Sequence, residues 1–154
     1  MKSKVVIFFI GIVFSVANID CTHNLVDKHV IPDVPVYTQI NLSVGGESSN
    51  WIGNPRYFNS SPTGKSLGYN GQGIIIYTNN NTEFKCYDAT CTRCPGLTSY
   101  MTQQDLQGDF AKCPVCGTRF LLFYGYPEEV EEKIYPLKEY PIVKSGNKLI
   151  VRYK

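Results

Sequence analysis

Four cysteines constrain this chain more than any other feature. They form two knuckles, Cys91-Thr-Arg-Cys94 and Cys113-Pro-Val-Cys116-Gly117, with 18 residues between them. A Cys-x-x-Cys turn places two sulfurs on one side of a tight loop, where backbone N–H groups stabilise thiolates. Pro114 stiffens the second loop, and Gly117 permits a positive φ just after the ligand position. Two such loops can complete a tetrahedral shell of four sulfurs. The only histidines, His23 and His29, sit in the N-terminal tail, so the shell is expected to be all-thiolate. The pattern speaks strongly for a metal and weakly for which metal. Three other fates are open to such thiols: disulfides in an oxidising compartment, a thiol–disulfide catalyst, or small core residues. The last fits Cys86, which alternates with Lys85 beside Phe84 in a strand-like run.

The first 33 residues read as targeting and tether. Lys2 and Lys4 precede Val5 to Ala17, an uncharged, mainly apolar run of 13 residues. A spanning helix needs about 20 residues, so this run fits the core of a secretory signal peptide over residues 1–20. Cys21 follows directly, as in a bacterial lipoprotein whose thiol carries diacylglycerol after cleavage, although Asp20 departs from the usual small-residue box. An ordinary signal cleaved nearby would instead leave Cys21 a free thiol. Residues 21–33 are polar, aperiodic and end at Ile31-Pro32-Asp33, which reads as a lipidated tether to a domain over 34–154. The expected location is the bacterial cell envelope, periplasmic or outer-membrane face, with the membrane as a partner through the lipid.

Removing residues 1–20 leaves 134, enough for one domain with a modest core. That part carries 13 Lys and Arg (15 less Lys2 and Lys4) against 12 Asp and Glu (13 less Asp20). A near-neutral balance gives no electrostatic case for nucleic acid. Eleven tyrosines and abundant Val, Ile, Gly and Pro favour an all-β, predominantly antiparallel fold. Val34 to Leu42 alternates as a strand. Gly73 to Thr78 is a β-branched run, Asn79-Asn80-Asn81 a turn, and Glu83 to Tyr87 the returning strand of a hairpin. Residues 43–72 are expected to be a long loop, anchored by Trp51, Tyr57 and Phe58. Arg119 to Tyr124 predicts another strand. Tyr140 to Lys144 and Lys148 to Tyr153 predict a terminal hairpin about Ser145-Gly146-Asn147.

Other constellations are weak. No nucleophile–histidine pair is expected, because both histidines lie in the tail. Gly71-Gln72-Gly73 and Gly45-Gly46 precede strand-like residues and read as turns rather than a phosphate loop. Glu128 to Glu132 lacks a calcium-loop pattern and reads as a solvated face. Tyr124, Tyr126, Tyr135 and Tyr140 follow the second knuckle; packing is their default role, with one hydroxyl available to hydrogen-bond a cysteine sulfur and tune the site.

The stretch from Gly73 to Tyr153 resembles a Rieske-type domain. The residues that carry the resemblance are the two knuckles with Thr118-Arg119-Phe120, then Tyr135-Pro136-Leu137-Lys138-Glu139-Tyr140-Pro141 and Gly146 to Val151. The whole chain also resembles small Bacteroidetes Rieske-like envelope lipoproteins, through its short tail and Ile31-Pro-Asp-Val-Pro35. The resemblance implies an antiparallel β-sandwich or barrel with two metal-binding loops. In that family the loops read Cys-x-His and Cys-x-x-His, and hold a [2Fe–2S] cluster through two cysteines and two histidines. Here Cys116 stands at the second histidine position, and Arg93 at the first, with Cys94 one residue later. A histidine-ligated cluster is excluded on ligand type. The leading expectation is a four-cysteine [2Fe–2S] centre in an electron carrier that needs a redox protein partner and is not itself an enzyme. The alternative is one Zn²⁺ or mononuclear iron, with zinc making a structural clasp in an interaction module. A disulfide exchanger, with a free thiol pair and no metal, is the third.

Overall fold

The computed structural model describes residues 30–43, 50–129 and 134–154. The signal segment, Cys21, most of the tether, and Glu131 and Glu132 lie outside the described residues.

The run Ile74-Ile-Ile-Tyr-Thr78 organises the molecule. An apolar run without alternation needs both of its faces covered. Strand β3 (Ile74–Thr78) is buried at every position and lies between β2 (Arg56–Phe58) and β4 (Phe84–Asp88). One face of this sheet, with Ile74, Ile76, Phe84 and Cys86, packs with Trp51, Leu67 and Tyr140 against a second sheet. That sheet runs β1 (Val36–Asn41), β10 (Lys148–Tyr153), β9 (Ile142–Ser145) in spatial order, and contributes Val36, Ile40, Leu149 and Val151. The opposite face, with Ile75, Tyr77 and Tyr87, packs against a third unit. This unit is a meander of β5 (Leu106–Gln107), β6 (Phe110–Lys112), β7 (Arg119–Leu121) and β8 (Tyr126–Pro127), which carries the second knuckle. The fold is therefore all-β and antiparallel in its sheets, with a two-sheet sandwich on one side and a small knuckle-bearing meander on the other.

The predicted hairpins form. In β3–β4 Ile76 faces Cys86, and Asn81 takes a left-handed φ of 59° in the turn. The terminal hairpin turns at Gly146, with φ 58°, and β1 pairs along the whole of β10. Strand β1 shows the alternation read from its sequence, with Val36, Thr38 and Ile40 inward.

Two expectations are corrected. Residues 43–72 are not all loop: Arg56-Tyr57-Phe58 pairs with Ile76-Ile75-Ile74 and extends the central sheet. The strand predicted over Arg119 to Tyr124 stops at Leu121, because the Leu121 carbonyl accepts from both Tyr124 N–H (3.2 Å) and Gly125 N–H (2.8 Å), closing a turn. That turn needs glycine. Gly125 has φ 72°, and a Cβ there would sit 2.6 Å from the Tyr87 ring.

Past β4 the chain is tied down by Asp88, a fully buried carboxylate. It accepts from Tyr69 N–H (2.6 Å), Thr90 N–H (2.8 Å) and the Tyr140 hydroxyl (2.7 Å). Three donors offset the cost of burying the charge. Asp88 thereby fixes the exit of β4, the point from which the chain enters the first knuckle.

Candidate metal centre

Each knuckle is the tip of a hydrogen-bonded stem. Met101 N–H donates to Ala89 O (2.9 Å), and Cys91 N–H to Ser99 O (2.8 Å), so residues 89–101 double back on themselves with Cys91-Thr-Arg-Cys94 at the end. In the second stem, β6 and β7 pair up to Lys112 and Arg119. Cys113 N–H then donates to Thr118 O (2.9 Å), and Gly117 N–H to Cys113 O (3.0 Å). Gly117 has the positive φ, 75°, that its place after the cysteine requires. The core under both stems (Ala89, Met101, Ala111, Phe120) is buried, which sets the two tips against each other.

The four sulfurs of Cys91, Cys94, Cys113 and Cys116 all lie within 4.8 Å of one another. Cys91 Sγ is 3.6 Å from Cys116 Sγ, and Cys94 Sγ is 3.7 Å from Cys113 Sγ. Each of these contacts crosses from one knuckle to the other and joins a buried cysteine (91 or 113) to a half-buried one (116 or 94). The set is thus enclosed from behind and open along one edge. The sequence placed these four residues together, and the structure does so. Cys86 stands apart, fully buried in the sandwich core as expected.

The surroundings tune the sulfurs unequally. Burial pushes the Cys91 thiol well up, although the backbone N–H groups of Cys94 and Arg93 pull the other way. Cys94 is pushed up to about 11, first by burial and then by its contact with the Cys116 sulfur. Burial also acts upward on Cys116. There it is outweighed by the Thr118 hydroxyl and backbone N–H and by the thiols of Cys94 and Cys113, and Cys116 falls to about 6. The Thr118 hydroxyl lies 3.2 Å from Cys116 Sγ and accepts from the Arg93 guanidinium at 3.3 Å. In this structure the Cys116 thiol donates to that hydroxyl, which keeps the two groups in contact.

The hydroxyl near a sulfur, expected from a tyrosine, comes from elsewhere. Tyr140 gives its hydroxyl to Asp88, while Tyr124 and Tyr126 are exposed. Thr118, and Ser99 beside Cys94, take that role. The available signal was proximity: both hydroxyls lie within five residues of a knuckle cysteine.

The donor set can be tested against each occupant. Four thiolates on one tetrahedral ion, at a metal–sulfur distance of about 2.3 Å, sit about 3.75 Å apart. Contacts of 3.6 and 3.7 Å match this. In a [2Fe–2S] centre each iron is also tetrahedral and carries two thiolates at the same spacing, so one cysteine from each knuckle on each iron fits these contacts as well. A disulfide needs about 2.05 Å, and all four cysteines are free thiols here. Neither knuckle opens a helix, the usual setting of a dithiol catalyst.

No family model matches the chain, and no curated protein matches it. Among solved structures the chain is similar to the ferredoxin of carbazole 1,9a-dioxygenase from Nocardioides aromaticivorans IC177, at 17% identity and a TM-score of 0.46, covering 79% of this chain and 99% of that one. It is similar to a Sphingomonas yanoikuyae B1 ferredoxin at 15% identity and a TM-score of 0.49, covering 80% of this chain and 100% of that one. It is also similar to a chain from the complex of reduced oxygenase and oxidized ferredoxin in carbazole 1,9a-dioxygenase, at 20% identity and a TM-score of 0.45, covering 79% and 94%.

Proposed function

We propose that Cys91, Cys94, Cys113 and Cys116 hold a metal centre and that the domain works as an electron carrier. The observation that carries the reading is the convergence of all four sulfurs within 4.8 Å at the tips of two independently braced stems. Iron bound there would supply reversible one-electron chemistry. The protein's own part is to hold four thiolates in place, to stabilise their charge with the N–H groups of Arg93, Cys94 and Thr118, and to leave one edge near the surface. Leu97, three residues after Cys94, and Val115, within the second knuckle, are both exposed and suit these loops to a transient protein contact. The sulfur spacing suits a single iron and equally the same-iron thiolate pairs of the [2Fe–2S] cluster implied by the Rieske resemblance.

A second reading rests on the same spacing. Zinc fits a tetrathiolate site of this size equally well, is redox-inert, and would clasp the two stems as a structural element. The domain would then be an interaction module.

The proposed setting is the bacterial envelope, with export directed by residues 1–20 and anchoring through lipid on Cys21. Mass spectrometry of the membrane fraction checks this: a diacylated N-terminal Cys21 is expected, and an unmodified chain beginning elsewhere would overturn it.

Metal analysis, sulfide assay and an absorption spectrum on anaerobically purified protein test the carrier reading. A coloured, reversibly reducible iron centre is expected. Colourless protein with one zinc would move the domain to the structural class.

A further inference from the structure

The sandwich is sealed along one edge and open along the other. On the sealed edge Tyr140 N–H donates to Cys86 O and Asp88 N–H to Lys138 O, both at 2.8 Å, stitching residues 138–140 to β4. On the open edge β1 and β2 are each the outer strand of their sheet. Between them lies a cavity of about 870 Å³, within the range of about 300–1,000 Å³ common to small-molecule sites.

Its lining is mostly apolar, with the rings of Tyr37, Tyr57 and Phe58 as the largest elements. The charges are one-sided. Arg56 and Lys148 line the cavity, and among the described residues that do so there is no Asp or Glu. Arg56 is also positioned, with its guanidinium 4.1 Å from the centre of the Trp51 ring.

We propose that this slot binds a small amphipathic organic anion, an acyl or aryl carboxylate. The apolar body lies along the β1 and β2 walls, and the anionic group meets Arg56 or Lys148. The site shares no lining residue with the knuckles, so it stands independently of what they hold.

The test uses the full-length chain with 1-anilinonaphthalene-8-sulfonate as a fluorescent probe. Dodecanoate below its micellar concentration serves as competitor, and dodecyltrimethylammonium as its cationic counterpart. Saturable one-to-one probe binding is expected, displaced by dodecanoate and not by the cation. Lys148→Glu should weaken both anions about fivefold, the size of one partly exposed charge pair. Gln39→Trp, which places bulk at the slot from an exposed position, should abolish binding. Both variants should keep wild-type metal content and melting temperature. Failure to saturate, equal competition by the cation, or unchanged affinity in both variants would overturn the proposal. So would displacement by an extended peptide but not by dodecanoate, which would make the slot a strand-addition edge.

Discussion

Thr118 decides the character of Cys116, and the consequence can be measured in metal-free protein. With Cys116 lowered to about 6, one thiolate should be present at neutral pH, seen as absorbance near 240 nm. Thr118→Val removes the hydroxyl and should move that titration upward; an unchanged midpoint would remove Thr118 from the account. The sign for stability follows. A thiol lowered from 9 to about 6 contributes stability that is complete above pH 9 and is lost as pH falls from 9 to 6. Cys94, raised to about 11, works oppositely: its contribution is present below pH 9 and lost as pH rises from 9 to 11. The cysteines also divide by substitution. Cys113→Ser should lose the metal and destabilise the knuckle unit. Cys86→Ser, in the sandwich core, should keep full metal content while costing about 1–3 kcal/mol for a buried hydroxyl without a designed partner.

Single side chains brace whole elements. Gln103 accepts from Tyr57 N–H (2.9 Å) and donates to Pro55 O (3.0 Å), so one amide pairs with the outer edge of β2 as a neighbouring strand would. Gln103→Ala should cost about 1 kcal/mol in thermal or denaturant unfolding, because both bonds lie near solvent. Gly125→Ala should cost more, about 2 kcal/mol, since its Cβ would strike Tyr87 from a backbone already at positive φ. These details also show what could be read from sequence. The longer strands, β1, β3, β4 and β10, carry period or β-branching and were legible. The knuckles were legible because ligand chemistry needs that spacing. Strands β5, β6 and β8 have two or three residues each, too few to display any period, and they exist because the meander packs on Ile75 and Tyr77. Strand β2 hid in a Gly- and Asn-rich stretch for the same reason, and the slot beside it depends on which edges the two sheets leave open.

At the scale of the molecule, the central sheet separates two cores that the proposed metal centre would support differently. The sandwich core draws on β1, β3, β4 and β10 and contains none of the four knuckle cysteines, whereas the core under the meander includes Cys91 and Cys113. Removing metal with a chelator under reducing conditions should therefore raise amide exchange across residues 89–122 while β1, β3 and β10 stay protected. Uniform loosening of both halves would show instead that the metal supports the entire fold. The most direct check of the central claim, a four-thiolate metal centre, is elemental analysis of the wild-type chain beside Cys113→Ser, with sulfide assay and spectrum on each. Wild type should bind metal tightly and stoichiometrically, and Cys113→Ser should bind none. Metal-free wild type, or full stoichiometry in Cys113→Ser, would contradict the ligand assignment; acid-labile sulfide with two irons would identify the occupant as a cluster, and its absence with one metal as a single ion.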